Sequence, residues 1–283
     1  MRGAGVVLGW IGRAAHAWAR SSPRPGRARA ALAACALAVL PASHAARPAA
    51  AACAPGTAVY LTLDTGNMRE AERIAGILKR HAVPATFFLA NEKTPAGDHS
   101  LDEAWAPYWR ARADEGHAFG SHTFDHVYFR GVGPDGTIAA RPQFGANAGR
   151  TLQWDARALC AELERVGTRF EQMTGRRLDP LWRAPGGKAP PQAMAAARGC
   201  GFAHVHWAPA GFLGDELPSD RYPNDRLLKQ ALANIRAGDI LMAHLGIWSR
   251  QDPYAPMLDP LIAGLRARGL CFATLRDHPD YRR

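Results

Sequence analysis

Between Ala58 and Leu275 the sequence switches repeatedly between short runs of β-branched and aromatic residues and stretches of helical period. Apolar runs at 58–63, 85–90, 117–121, 181–183, 202–207, 239–244 and 270–275 predict seven strands. Between them, 67–81, 101–115, 155–174, 191–198, 225–237 and 256–268 predict helices; in the first, Met68, Ala71, Ile74, Ala75 and Leu78 recur at helical spacing. A Gly- and Pro-bearing stretch from Phe129 to about Arg150 reads as a long loop. There is no internal repeat and no linker within this region, so the alternation predicts one α/β domain built on a parallel sheet. Alternation alone does not separate an open doubly wound sheet from a barrel. The chemically active residues favour the barrel, because they fall at the C-terminal ends of the first, third, fourth, fifth and sixth strands, which in a barrel share one rim.

The first 45 residues belong to another class of segment. They carry six arginines and no acid, then an apolar run from Ala30 to Leu40, then Pro41 and the small residues Ala42-Ser43-His44-Ala45. A basic region, a short apolar core and a small-residue site predict a cleaved signal peptide over 1–45, with 46–56 as a linker and 57–283 as the catalytic domain. The competing readings are an uncleaved anchor and a disordered basic arm. The apolar run is too short to span a bilayer comfortably, so no membrane span is expected after cleavage. The full chain has formal charge +10, and without the six leader arginines 29 basic residues face 25 acidic ones, or +4. An exported, mildly basic domain gives no reason to expect nucleic-acid binding. Four cysteines remain, Cys53, Cys160, Cys200 and Cys271, at spacings that match no zinc motif. Cys53 precedes the first strand and Cys271 lies in the last, so they could meet if the sheet closes; four free buried thiols are the equal alternative.

The rim residues carry the chemistry. His122 and His126 are four apart, which on a helical turn sets two imidazoles on one face, where one cation could sit. Asp64 ends the first strand just before Gly66 and reads as a general base, a metal ligand or a helix cap. Arg183 ends the fourth strand ahead of Pro185-Gly186-Gly187, a turn able to hold a guanidinium against a carboxylate and to expose backbone N–H groups. His244 ends the sixth strand.

In this order the segments Thr62-Leu63-Asp64-Thr65-Gly66, Ala85-Thr86-Phe87-Phe88, Ser121-His122-Thr123-Phe124-Asp125-His126, Arg183-Ala184-Pro185-Gly186-Gly187 and Leu241-Met242-Ala243-His244 resemble the polysaccharide deacetylase family, the NodB homology domain of carbohydrate esterase family four, over about residues 57 to 275. The resemblance implies a distorted (β/α)7–8 barrel. It also implies a metal-dependent hydrolase that removes N-acetyl groups from a glycan, which the leader would place in the periplasm or outside the cell. By that analogy His122 and His126 hold a divalent cation, usually zinc. Asp64 is the base, Arg183 orients it, the Gly186 N–H helps to bind the oxyanion, and His244 protonates the leaving amine.

The match breaks in three places. Thr65 stands where the family has its third metal ligand, so Thr65 itself, Asn67 or Asp125, or Asp64, would have to complete the site. Gly186 replaces an aromatic residue, which would widen the site and remove a sugar-stacking wall. His204-Val205-His206-Trp207 replaces a segment that usually carries an Asp near a Trp; His206 could assist the metal or pack against Trp207. Tyr128, Trp207, Phe212 and Trp248 are candidate stacking surfaces, and the stretches 91–100, 127–150 and 208–223 are expected to shape the cleft. Two other readings remain open. One is an amidohydrolase on another substrate, such as a formamido sugar lipid or a cyclic amide, with or without a metal. The other is a glycan-binding protein that has lost catalysis.

Overall fold

A computed structural model describes residues 53–282, so the expected leader over 1–45 and linker residues 46–52 lie outside the described residues. The first two strands are β1 (Ala58–Asp64) and β2 (Thr86–Leu89), joined through helix α1 (Ala71–Arg80). Helix α2 (Ala106–Asp114) leads to β3 (Ala118–Ser121). Next come β4 (Val127–Val132), β5 (Ile138–Pro142), β6 (Leu152–Trp154) and α3 (Ala156–Thr174). The chain continues through β7 (Leu181–Trp182), α4 (Pro191–Gly199), β8 (Ala203–His204) and α5 (Asn224–Asn234). It ends with β9 (Ile240–His244), α6 (Leu258–Ala267) and β10 (Cys271–Phe272).

Seven strands form one parallel sheet in the order β10-β1-β2-β3-β7-β8, with β9 also on β1. One edge of β1 thus serves two strands: Ala58 and Val59 pair with β10, and Tyr60 to Asp64 pair with β9. The curl is closed without a full ladder. Beyond β8 the chain returns to β9 through the Ala208 N–H to Ile240 C=O bond and a single Phe212–Met242 bridge. This is the expected distorted barrel.

The sheet is buried on both faces, as a parallel sheet with crossover helices must be. Leu61, Leu63, Phe87, Leu89 and Phe119 fill one side. The crossover helix α3 shows why the local sequence works. Asp155 caps its start by accepting from the Ala158 N–H at 2.7 Å, and Gly175 ends it in the left-handed conformation at φ 70°. Leu159, Leu163, Val166, Phe170 and Met173 then fall on its buried face, each worth roughly 1.5–3 kcal/mol when fully buried.

Several expected elements differ. The stretch from Phe129 to Arg150 is not loop throughout: it carries the end of β4 and all of β5, which with β6 form a second, antiparallel sheet, and only the remainder is turn and loop. Val127, Phe129, Ile138 and Ala140 alternate inward and pack on Trp182 and Leu159, a two-residue period masked by Gly131, Gly133 and Gly136. The fourth, fifth and seventh strands shrink to two-residue ladders, the last of them paired only with the first two residues of β1. Helix α1 starts at Ala71, not Asn67, since Met68 takes a left-handed conformation (φ 62°) within the preceding turn.

Both pairs of cysteines are joined, Cys53 to Cys271 and Cys160 to Cys200, so the free-thiol alternative is set aside. Among the described residues no helix is long and apolar enough to cross a membrane.

Candidate active site

Strand register assembles the site. Asp64 pairs with His244 across β1 and β9, so the two side chains leave adjacent strands at the same height. The hydrogen-bond ladder continues just past the strand ends: Thr65 N–H donates to Phe88, His122 N–H to Leu89 and Arg183 N–H to Ser121, each at 2.8–3.2 Å. These bonds fix the backbone on which the polar side chains stand. Gly66 is required there, because at φ 57° a Cβ would lie 2.2 Å from the Gly246 carbonyl oxygen.

Asp64 is buried, and each of its oxygens has its own neighbour. Oδ1 accepts from Arg183 Nη1 at 2.8 Å, while Oδ2 lies 3.6 Å from His122 Nε2, too far for a hydrogen bond. Arg183 is fully buried, shares Nη1 with Thr62 Oγ1 at 2.8 Å, and rests over the Phe88 ring. Burial alone would raise the Asp64 carboxyl, but Arg183, with His122 and His244, outweighs it and holds the group below the usual carboxylate range.

His244 has the opposite balance. Burial would make it less basic, yet Asp215, with help from Asp64 and Glu216, pushes its pKa up to about 10. The Asp215 carboxylate receives the His244 backbone N–H at 2.7 Å and lies 3.1 Å from its Nδ1. An imidazolium with Nδ1 so held presents Nε2–H as a proton donor.

The histidine pair is not helical. Ser121 to His126 form a tight turn in which Thr123 (φ 60°) and His126 (φ 48°) are both left-handed. A β-branched residue in that region is strained by about 1–3 kcal/mol. The turn is held by Thr123 Oγ1 accepting the Val127 N–H at 2.7 Å, and by the Asn91 N–H to Phe124 C=O bond at 2.7 Å. It brings the His122 and His126 rings to a centroid distance of 5.1 Å. His122 Nδ1 lies 2.9 Å from the Arg183 carbonyl oxygen, which fixes its N–H there and leaves the Nε2 lone pair facing the cleft. Burial lowers the His122 pKa to about 4, so at neutral pH the ring is uncharged, the form in which it binds metals.

The residues named as possible third ligands are engaged elsewhere. Thr65 Oγ1 donates to Glu92 at 2.6 Å and accepts the Ala90 N–H. Asn67 Oδ1 accepts the Arg69 N–H at 3.0 Å within its own turn. Asp125 pairs with Arg165 of α3 at 3.0 Å. Neither Asn67 nor Asp125 lines the cleft. Among the described residues no group of three His, Cys, Asp or Glu side chains stands ready to enclose a metal ion. The donor chemistry nevertheless fits a divalent cation: a neutral imidazole with its tautomer fixed by a carbonyl, a second imidazole at its side, and carboxylates on the same cleft.

Tyr128, Gly186, Trp207 and Trp248 all line the cleft. The expected widening at Gly186 does not occur, since a Cβ there would lie 2.9 Å from Tyr128 Cε1. The Tyr128 ring, carried in by β4, thus stands where the motif's aromatic side chain would project. Trp207 stacks on His206 at 4.4 Å, so His206 packs rather than reaching the histidine pair. Trp248 is 55 % exposed on the outer wall.

Three polar residues of the site were not singled out from the sequence: Glu92, Asp215 and Glu216. Each lies in a stretch expected to be a cleft-forming loop, and no spacing marks it.

The polysaccharide deacetylase family model matches residues 51–205. The chain is 25 % identical over 223 residues to a peptidoglycan-N-acetylmuramic acid deacetylase of Bacillus subtilis, covering 77 % of this chain and 70 % of that protein. Its fold is similar to that of a peptidoglycan N-acetylglucosamine deacetylase (TM-score 0.60, 22 % identity, 79 % and 88 % covered). It is likewise similar to a family 4 acetyl xylan esterase from Clostridium thermocellum in complex with a cobalt ion (TM-score 0.59, 18 % identity, 78 % and 89 % covered).

Proposed function

Since the chain belongs to the polysaccharide deacetylase family, and is thus a hydrolase of carbon–nitrogen bonds, we propose that it is an exported, metal-assisted enzyme that removes acetyl groups from an N-acetylated envelope or extracellular glycan. The observation that carries this reading is the pairing of opposite protonation states on neighbouring strands. Asp64 is held ionised and His244 is held protonated at the same register position.

In this mechanism Asp64 Oδ2 takes a proton from the attacking water, while Arg183 keeps Oδ1 and so fixes the carboxylate plane. The Gly186 N–H, on a turn with φ 67°, donates to the oxyanion as the acetyl carbonyl becomes tetrahedral. His244 gives its Nε2 proton to the departing amine, and Asp215 stabilises the charge it holds beforehand. A divalent cation held by His122 and His126 would polarise the acetyl oxygen and make the water more acidic. Tyr128 and Trp207 offer flat apolar faces for the sugar ring.

The direct test is metal content of the purified protein, followed by acetate release from chitooligosaccharides. His122→Ala is expected to lose both the metal and the activity; full activity in that variant would end the metal-assisted reading. A second reading, hydrolysis of another amide without a metal, draws support from one observation: among the described residues no three His, Cys, Asp or Glu side chains converge to enclose a metal ion. Acetamide substrates untouched by a metal-loaded protein would favour it.

The charge on His244 gives a further expected result. An acid must be protonated to work, so kcat/KM should stay high at neutral pH and fall as pH rises through about 10. Asp215, Asp64 and Glu216 are the acids that raise it. Asp215→Asn removes the nearest and should move the alkaline limb of the pH–rate profile to lower pH. An unmoved limb would show that another group sets it.

A further inference from the structure

We propose that Glu92 is the carboxylate that replaces the missing acid at position 65, and that it completes a divalent-cation site with His122 and His126. The inference rests on the metal-assisted reading above and adds to it a donor from a different strand end.

Glu92 lies three residues beyond Leu89, the last residue of β2, beside the strand that ends in Asp64. Its segment is tied to the histidine turn by the Asn91 N–H to Phe124 C=O bond, and braced within its own loop by the Glu92 N–H donating to Ser100 Oγ at 2.9 Å. The residue is 8 % exposed, and what remains open faces the cleft shared with His122 and His126.

Its partners are unusual for a buried acid. Oε1 accepts from Thr65 Oγ1 at 2.6 Å and from the Gly66 N–H at 2.8 Å, whereas Oε2 accepts no hydrogen bond among the described residues. No lysine, arginine or histidine forms an ion pair with it among those residues. Buried glutamates are almost always paired, because an isolated charge is costly away from water. Here the carboxylate is buried, oriented through one oxygen, and lines the same cleft as the two imidazoles with its other oxygen free of protein hydrogen bonds among the described residues. A cation between them would balance the charge.

Position 65 keeps a part in this arrangement. A threonine cannot supply the lost negative charge, but its hydroxyl donates to Glu92 and sets the direction of the carboxylate. That is how residues behind a metal ligand usually act. Glutamate's extra methylene suits a donor that starts from the neighbouring strand end. The resulting set, two histidines and a glutamate, is a known composition for a catalytic zinc site. The donors do not enclose a cation as they stand, so binding requires Glu92 to turn about its side-chain torsions and bring Oε2 forward.

The test is calorimetric titration of the chelator-stripped protein with Zn2+, alongside its melting temperature without metal. Wild type should take up about one ion per chain. Glu92→Gln keeps an oxygen for Thr65 and Gly66, so its metal-free melting temperature should match wild type while its affinity falls by about 100-fold or more, beyond the 10–100-fold typical of a residue behind a ligand. Adding Thr65→Asp to Glu92→Gln should restore binding. Thr65→Asp alone, which leaves Glu92 in place and does not depend on the folding of the other variant, should not tighten binding. Wild-type affinity in Glu92→Gln, or a tenfold gain in Thr65→Asp, would overturn the proposal. Either result, with metal-dependent acetate release intact, would leave the deacetylase reading standing. A wild-type protein that binds no Zn2+ would remove both this proposal and the metal-assisted step.

Discussion

Asp64→Asn is expected to lower kcat for acetyl release by about 10²–10⁴-fold, the range typical of a positioned general base. The substitution is nearly isosteric, and the amide oxygen can still accept from Arg183 Nη1. What it removes is the basic oxygen that faces the cleft and His122. The metal should stay bound, because the histidine pair and Glu92 are untouched, and KM should change little. Steady-state kinetics with metal analysis of the same sample checks this. A variant that kept its rate would place the base elsewhere, whereas one that lost its metal would make Asp64 a ligand.

The second large effect is on stability. Arg183→Leu should destabilise the fold by about 3–5 kcal/mol at neutral pH, because it leaves the buried Asp64 carboxylate without its main partner. For a chain of this size that corresponds to a fall in Tm of roughly 6–20 °C. The pH dependence has a definite sign. In the wild type the folded Asp64 pKa is depressed, so the pair's contribution is present above the unfolded carboxyl value and is lost as pH falls through the folded one. In Arg183→Leu the counter-charge is gone and burial drives the Asp64 pKa upward. That carboxyl then takes a proton on mild acidification, which relieves the unpaired charge. The gap in Tm between variant and wild type should therefore narrow as pH is lowered toward about 4. Combining Arg183→Leu with Asp64→Asn should recover part of the loss at neutral pH. A Tm unchanged in Arg183→Leu would show that the pair is not a stabilising element.

The parallel sheet and most of its helices were readable, because their apolar periods are local properties of the chain. Asp64, His122, Arg183 and His244 stood out for a related reason: each directly follows or ends a recognisable strand. Glu92 and Asp215 did not. Their roles depend on contacts with residues 26 and 29 positions away, Gly66 and His244, and nothing in their own neighbourhood announces those contacts. Asn67 and Asp125 looked suitable because they sit next to the right residues in sequence. Sequence neighbours of a turn, however, point in different directions once the backbone becomes left-handed at Met68 and Thr123. The β4-β5-β6 sheet was legible in principle, since Val127, Phe129, Ile138 and Ala140 alternate, but its glycines hid the period. That sheet mattered for the site, because it delivers Tyr128 to the space left by Gly186.

The bond between Cys53 and Cys271 joins positions 218 residues apart, so between them the chain is a closed loop. Every side chain assigned here to the cleft, from Asp64 to Trp248, lies on that loop, and the Cys160–Cys200 bond divides it into two smaller ones. A single backbone cut in any of the segments framing the cleft would therefore leave one covalent molecule with all its proposed catalytic groups still attached. If the proposed export holds, the arrangement turns a proteolytic event that would sever an ordinary chain into a local nick.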